Sequence, residues 1–251
     1  MIKDFIKKVN SHPILDSIPF RRAVLYSLLI PGMLISINEG AYHAIWLTLV
    51  CLLIGYKDIK PFVNFKQYKL LELLKISGIT IVVSLLFSIA GLKIMSLFGV
   101  MDPQGLKDLV LTNEEYLNKL EILPFIAVGE EFFKLLMFLA LFSLITVGTK
   151  NTRILIATLI AAFIFGHLHV FSYEFTAGIP IMFGVIPTFY LMLYYRSIIP
   201  LIIEHFFADF YSFTGHTVFG DLFVQIVSIV FMICWFGWMF KTSSLKKKPV
   251  S

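Results

Sequence analysis

The chain has 251 residues, of which 58% are hydrophobic, 16% aromatic and only 15% charged, and a soluble domain of that length needs far more polar surface. An ordinary water-soluble fold is excluded, and an integral membrane protein is indicated. The net charge of +5 does not argue for a nucleic-acid partner, because Lys and Arg fall in short segments between apolar runs rather than in one aromatic-studded groove.

Residues 2 to 9 place Ile2, Phe5, Ile6 and Val9 on one helical face and Lys3, Lys7 and Lys8 elsewhere. This predicts a short amphipathic helix in the cytoplasmic interface, within an N-terminal segment 1 to 20. Apolar runs follow at about 23 to 38, 41 to 56, 76 to 100, 122 to 147, 154 to 172, 177 to 195, 197 to 214 and 222 to 240. A bilayer needs ~17 to 25 residues per crossing. The runs therefore predict about eight transmembrane helices, the first two short and joined at Asn38-Glu39-Gly40 as a tilted hairpin. The fold class is all-α, a polytopic membrane helix bundle forming a single transmembrane domain over 1 to 251, with no internal repeat.

The loop 101 to 121 carries Leu106, Leu109, Val110, Tyr116, Leu117 and Leu120 at mostly helical spacing. It reads equally well as a cover over the outer mouth of the bundle and as an exposed connecting helix. Pro180, Pro187 and Pro200 predict kinks in the sixth and seventh spans. Cys51 and Cys234 each lie inside an apolar run, without CxxC spacing, and read as packing residues.

The distribution of Lys and Arg supports the count of eight. Threading the chain with both termini in the cytoplasm puts Lys57 to Lys75, Lys150 and Arg153, Arg196, and Lys241 to Lys248 on the inner side. Of the outer segments only loop 101 to 121 carries Lys, at Lys107 and Lys119. The inner basic residues then face the anionic leaflet of the lipid bilayer. No cleavable signal is expected, because the first apolar run lacks a small-residue cleavage site.

Ionisable groups at membrane depth cost roughly 2.5 to 3.5 kcal/mol each at a helix centre, so their positions nominate a site. The fourth run carries Glu130, Glu131 and Lys134, the fifth His167 and His169, and the seventh Glu204, His205 and Asp209. Counted from the outer ends of their spans, Glu130, His169, His205 and Asp209 all fall in the outer half of the bilayer. Residues four apart share a helical face, so His205 points with Asp209, Phe165 with His169 and Glu130 with Lys134. Only one of His167 and His169 can face the site, and His167 reads as structural, donating to a backbone carbonyl. Adjacent Glu130 and Glu131 diverge by about 100 degrees. One can act on a substrate while the other is tied into helix packing, with Lys134 in reach of either. Glu204 points away from His205 and reads either as support for the site or as a packing partner, and His43 and His216 read as ordinary polar residues near loops.

Carboxylate and imidazole in a partly dry cavity can deprotonate a water, deliver it to a carbonyl and return the proton to a leaving amine. The same residue types can hold Zn²⁺ with the attacking water as a further ligand. A buried ion pair that only fixes packing is the plainer account of Glu130, Glu131 and Lys134.

Glu130-Glu131, Phe165-Gly166-His167-Leu168-His169 and His205-Phe206-Phe207-Ala208-Asp209 resemble, in order, the EExxxR, FxxxH and HxxxN/D motifs of the CAAX prenyl protease and bacteriocin-processing (CPBP, or Abi) intramembrane proteases. The resemblance covers about 122 to 214. It implies that Glu130 activates water with His169 as partner, and that His205 and Asp209 polarise the scissile carbonyl or orient the water. It also implies an intramembrane endopeptidase acting on a membrane-associated peptide or protein, in CAAX-type processing, peptide maturation or bacteriocin self-immunity in a bacterial plasma membrane.

The basic residue Lys134 comes one position early, giving EExxK as in the PrsW-like branch and leaving open which glutamate is the base. The family has been described both as metalloproteases and as metal-independent glutamate-type proteases. The metal-free mechanism is preferred, with Zn²⁺ on Glu130, His169, His205 and Asp209 as the alternative. The competing expectations are a proton- or cation-coupled carrier using the same residues, disfavoured by the lack of paired broken helices in the two halves, and a catalytically silent binding relative.

Overall fold

A computed structural model describes residues 2–36, 42–64, 67–102, 109–169, 175–230 and 233. The turn Asn38 to Gly40, Leu106, Lys107, Tyr173, Cys234 and the lysines from Lys241 onward lie outside the described residues. The described chain is all-α, without a strand. Its helices are α1 (Ile2–Asn10), α2 (Phe20–Ser27), α3 (Leu29–Ser36), α4 (His43–Ile59), α5 (Leu70–Leu97), α6 (Asn113–Leu144), α7 (Lys150–Leu168), α8 (Gly178–Tyr195), α9 (Ile199–Gly215) and α10 (Gly220–Val230). Among these, α5, α7 and α8 are long and apolar enough to cross a membrane.

Helix α6 is the axis of the bundle. Every residue from Gly129 to Ala140 is buried, and a helix covered on all sides has to be enclosed by others. The covering helices are α4, α2, α9 and α7. Helix α5 lies at the periphery with the opposite distribution. Leu71, Leu85, Leu86 and Leu97 are exposed, whereas Ser77, Thr80 and Ser84 face inward. An outward apolar surface and an inward polar stripe are compatible with a bilayer around the bundle.

Two glycines set the helix spacing around the site. A Cβ on Gly129 would lie 2.6 Å from Oγ1 of Thr48 and 3.0 Å from the Ala44 carbonyl, so glycine lets α4 and α6 touch beside Glu130. A Cβ on Gly166 would lie 2.4 Å from the Gly178 carbonyl oxygen and 2.9 Å from the Met182 nitrogen, both backbone atoms that cannot swing aside. Close α7–α8 contact therefore depends on Gly166.

Several predicted boundaries move. The run 23 to 38 is not one continuous helix but falls in two eight-residue helices, interrupted at Leu28. Pro31 accounts for the interruption, since its ring opposes the Ser27 carbonyl four residues back and it has no N–H to offer. The second half of loop 101 to 121 is not a separate connector, because α6 begins at Asn113 and runs unbroken through the fourth apolar run. Pro180 and Pro200 produce no interior kink, since both fall in the first turns of α8 and α9, where a missing N–H loses nothing. Pro187 alone of the three sits inside its helix.

The start of α6 is specified locally. Thr112 accepts a hydrogen bond from the Glu115 N–H at 3.3 Å, and the Glu115 carboxylate accepts from the Thr112 N–H at 2.8 Å, completing a capping box. Hydrogen bonds from the Thr112 backbone and hydroxyl hold the Glu115 carboxyl below the usual carboxylate range. Next to this cap, the Leu111 N–H donates to the His216 carbonyl at 2.7 Å and Tyr116 bonds Thr214 at 2.9 Å. The N-terminal end of α6 is thereby joined to the C-terminal end of α9.

At the other end, the N-terminal segment is strapped across the bundle. Phe5 stacks on Tyr194 at 4.8 Å, the Lys8 ammonium lies 4.0 Å above the same ring, and Asp16 pairs with Lys150 at 2.7 Å. His12 stacks flat on Phe62 at 4.8 Å and accepts a hydrogen bond from the Ile14 N–H at 3.2 Å. Nearby, Arg22 grips both oxygens of the buried Asp58 carboxylate at 2.5 and 2.6 Å, and Tyr26 donates to the same carboxylate. Burial, reinforced by Arg196 and Lys150, lowers the His12 pKa from its ordinary value to about 4.

A base whose folded pKa is depressed stabilises the fold fully above its unfolded value. Stability linked to His12 is therefore present above roughly pH 6.5 and falls between there and pH 4. His12→Asn retains a capping side chain without the titration, so its unfolding free energy is expected to lose roughly 2 to 3 kcal/mol less than wild type over that window. Chemical unfolding at graded pH measures the difference. In the same assay Gly166→Val is expected to cost about 2 kcal/mol or more, because the new methyl groups meet backbone.

Candidate functional site

Helices α6, α7 and α9 bring the ionisable residues of three separate apolar runs to one place. Oε2 of Glu130 lies 3.6 Å from Nε2 of His169 and 3.6 Å from Nε2 of His205. His205 Nε2 is also 3.5 Å from Oδ2 of Asp209, one helical turn further along α9. Glu130, Glu131 and Lys134 are all buried in α6.

The two glutamates have different surroundings. Oε1 of Glu131 forms an ion pair with Nζ of Lys134 and a 2.9 Å hydrogen bond with Nδ1 of His205. The same ammonium lies 4.8 Å above the Phe165 ring, so Phe165 caps the cation in addition to flanking His169. Glu131 is held within the packing between α6 and α9. Glu130, by contrast, lines a cavity, and its Oε2 is buried without a hydrogen-bond partner.

The imidazole tautomers follow from their outer partners. Nδ1 of His169 sits 2.9 Å from the Phe165 carbonyl, which can only accept, so the proton on a neutral ring belongs at Nδ1. Nδ1 of His205 faces the Glu131 carboxylate, and the same assignment holds. Each neutral ring then turns a lone pair at Nε2 toward Glu130. At 3.6 Å these contacts are too long for direct hydrogen bonds, and a small molecule on the cavity side can reach all three atoms. A water has the two hydrogens and the size for that position.

The cavity measures about 700 Å³, within the range of sites that take small molecules or short peptides. Glu130, His169, His205 and Asp209 line it, with Ser84 and Ser88 of α5 on the facing wall. Lys134 and Phe165 also reach its wall, whereas Glu131 does not. His167 is turned away, with Nδ1 2.8 Å from the Phe163 carbonyl and its ring stacked on Phe163 at 4.1 Å. The phase argument thus separates the two histidines of α7.

Glu204 departs from expectation, since it lines the same cavity as His205 rather than pointing elsewhere. Adjacent positions can both reach a space wide enough to span more than 100 degrees of the helix. His43, read as an ordinary residue near a turn, also lines the cavity, as do the α5 serines and Thr188 of α8. Ser84 carries no signal in the sequence, because a lone serine in an apolar run is common, and its place follows from α5 packing on α8 and α9.

The donor types at the site are those that bind Zn²⁺. Among the described residues, however, no group of three or more His, Cys, Asp or Glu side chains is placed to hold a metal ion. Compared with family models, with characterised proteins and with solved structures, the chain matches none.

The Glu131–Lys134–His205 group makes a direct prediction. Lys134→Met strands a buried carboxylate and is expected to cost about 3 to 5 kcal/mol, whereas Lys134→Met combined with Glu131→Gln recovers most of the loss. A double-mutant cycle of unfolding in detergent measures both.

Proposed function

We propose that this protein is an intramembrane endopeptidase of the CPBP type, hydrolysing a peptide bond in a membrane-associated peptide or protein. The single observation that carries the reading is the meeting of Glu130, His169 and His205 around one point at the wall of a large cavity. The order of the three motifs along the chain, and their placement on α6, α7 and α9, support the family assignment.

In this mechanism a water rests between Glu130, His169 and His205. Glu130 takes one proton as the water oxygen attacks the scissile carbonyl carbon, forming a tetrahedral intermediate. His169, fixed by the Phe165 carbonyl, aligns the water. His205, held at Nδ1 by Glu131, aligns it from the other side through Nε2, where Asp209 also lies within 3.5 Å. The proton then passes from Glu130 to the amide nitrogen, the C–N bond breaks, and an amine and a carboxylic acid leave. Lys134 neutralises Glu131, so that a second carboxylate beside the base carries no unpaired charge.

The membrane arrangement belongs to the same proposal. Eight crossings place both termini in the cytoplasm of a bacterial plasma membrane, with α1 along its inner surface and the cavity in the outer half. The Asp16–Lys150 ion pair of the N-terminal strap joins segments that this threading puts on the inner side, and the Leu111–His216 hydrogen bond joins segments that it puts outside.

The test offers the detergent-purified protein a library of membrane-anchored peptides. Cleavage is expected, and Glu130→Ala and His169→Ala are each expected to reduce it by about 10² to 10⁴. Transport of protons or cations without cleavage by the reconstituted protein would support the carrier reading instead. Loss of cleavage with a chelator, restored by Zn²⁺, would replace the metal-free mechanism.

A further inference from the structure

Beyond the reacting centre, the cavity continues along α6. Lys119, Ile122, Ile126, Glu130 and Lys134 all line it, at spacings of three and four that make one continuous helical stripe. Helix α9 packs against α6, and supplies the opposing stripe of His205, Ala208, Ser212 and Phe213. The two helices run antiparallel, joined by Glu131–His205 at the deep end and Tyr116–Thr214 at the mouth. Between the reacting centre and the mouth the floor of this groove is Ile122, Ile126 and Ala208, and the ammonium of Lys119 stands at its outer end, 4.9 Å above the Phe213 ring.

We propose that Lys119 is a specificity-determining residue that holds a carboxylate of the substrate, with a short apolar stretch of extended peptide lying between it and the scissile bond. The proposal rests on the hydrolase reading for what happens at Glu130. The length follows from the stripe: Glu130 lies eleven helical steps after Lys119, about 16 Å at ~1.5 Å each, which is about five extended residues at ~3.3 Å each. The chemistry follows from the ends. Among the described residues the other lysine at the cavity wall, Lys134, is already bound to Glu131, which leaves Lys119, one turn from the exposed Glu115, as the cation positioned to meet an incoming anion. At the deep end the carboxylates of Glu130 and Asp209 repel an incoming carboxylate. A peptide carrying one is therefore oriented along the groove with its anion outward. The carboxylate can be the chain terminus or an Asp or Glu side chain, and both present the same group to an ammonium.

The experiment uses apolar peptides labelled with an uncharged fluorophore, tested for binding by anisotropy and for cleavage by mass spectrometry. One series ends in a free carboxylate, a second in an amide, and a third in an amide with Glu placed at successive positions. Wild type is expected to bind the acid series about tenfold more tightly than the plain amide series. The third series distinguishes the sources: recovery of affinity by Glu at about the fifth position means that a side chain serves, and no recovery means that the terminus is required. Lys119→Met is expected to abolish the difference, Lys119→Glu to reverse it, and Lys119→Arg to retain it, while amide peptides bind all four proteins alike. Equal binding of acid and amide peptides by wild type overturns the proposal, even where Glu130-dependent cleavage proceeds. A Lys119-dependent preference in binding without any cleavage keeps the groove and overturns the hydrolase reading.

Discussion

The interaction on which the rest of this structure depends is the burial of Glu131 with Lys134 inside α6. Two charges at the centre of an apolar bundle are costly to desolvate, and their mutual attraction offsets that cost only when further partners satisfy the remaining valences. His205 of α9 and the ring of Phe165 on α7 are those partners. A helix that carries such a pair can be enclosed on every side only if its neighbours bring matching groups at matching heights. The registration of α9 and α7 against α6 is therefore tied to electrostatics as well as to packing.

That registration sets what Glu130 can do. One residue away from a carboxylate that is fully engaged, it faces a cavity with an oxygen left without a hydrogen-bond partner, though two imidazoles lie 3.6 Å from it. The flanking histidines are each held at Nδ1, one by a backbone carbonyl and the other by the engaged glutamate, so that both present Nε2 to the same oxygen. Adjacent carboxylates thus have separate tasks. Glu131 aligns the elements, and Glu130 is left available for proton transfer in the proposed hydrolysis.

Close helix contact gives this arrangement its rigidity. Small residues dominate where α4 meets α6 and where α7 meets α8, and at those places a methyl group would strike backbone or a buried hydroxyl. The peripheral helix α5 contributes hydroxyls to the cavity wall and leucines to the outside. The N-terminal segment is tied to the ends of α7 and α8, away from the site, by the Asp16–Lys150 ion pair and by Phe5 stacked on Tyr194.

The sequence by itself determined the all-α class, the placement of most helices and the short list of ionisable residues, because apolar runs interrupted by charge are written locally. It also set His169 and His167 on different faces, since helical phase is a property of spacing alone. Tertiary structure decided the rest. Pro31 divides a run that looked continuous, and the predicted outer loop becomes the capped start of α6 through Thr112 and Glu115. Which glutamate faces the cavity depends on where Lys134 and His205 sit around α6, and Glu204, Ser84 and His43 join the cavity only because α4, α5 and α9 converge there. Spacing along one helix fixes which residues share a face, but what that face meets is set by neighbours far away in the chain.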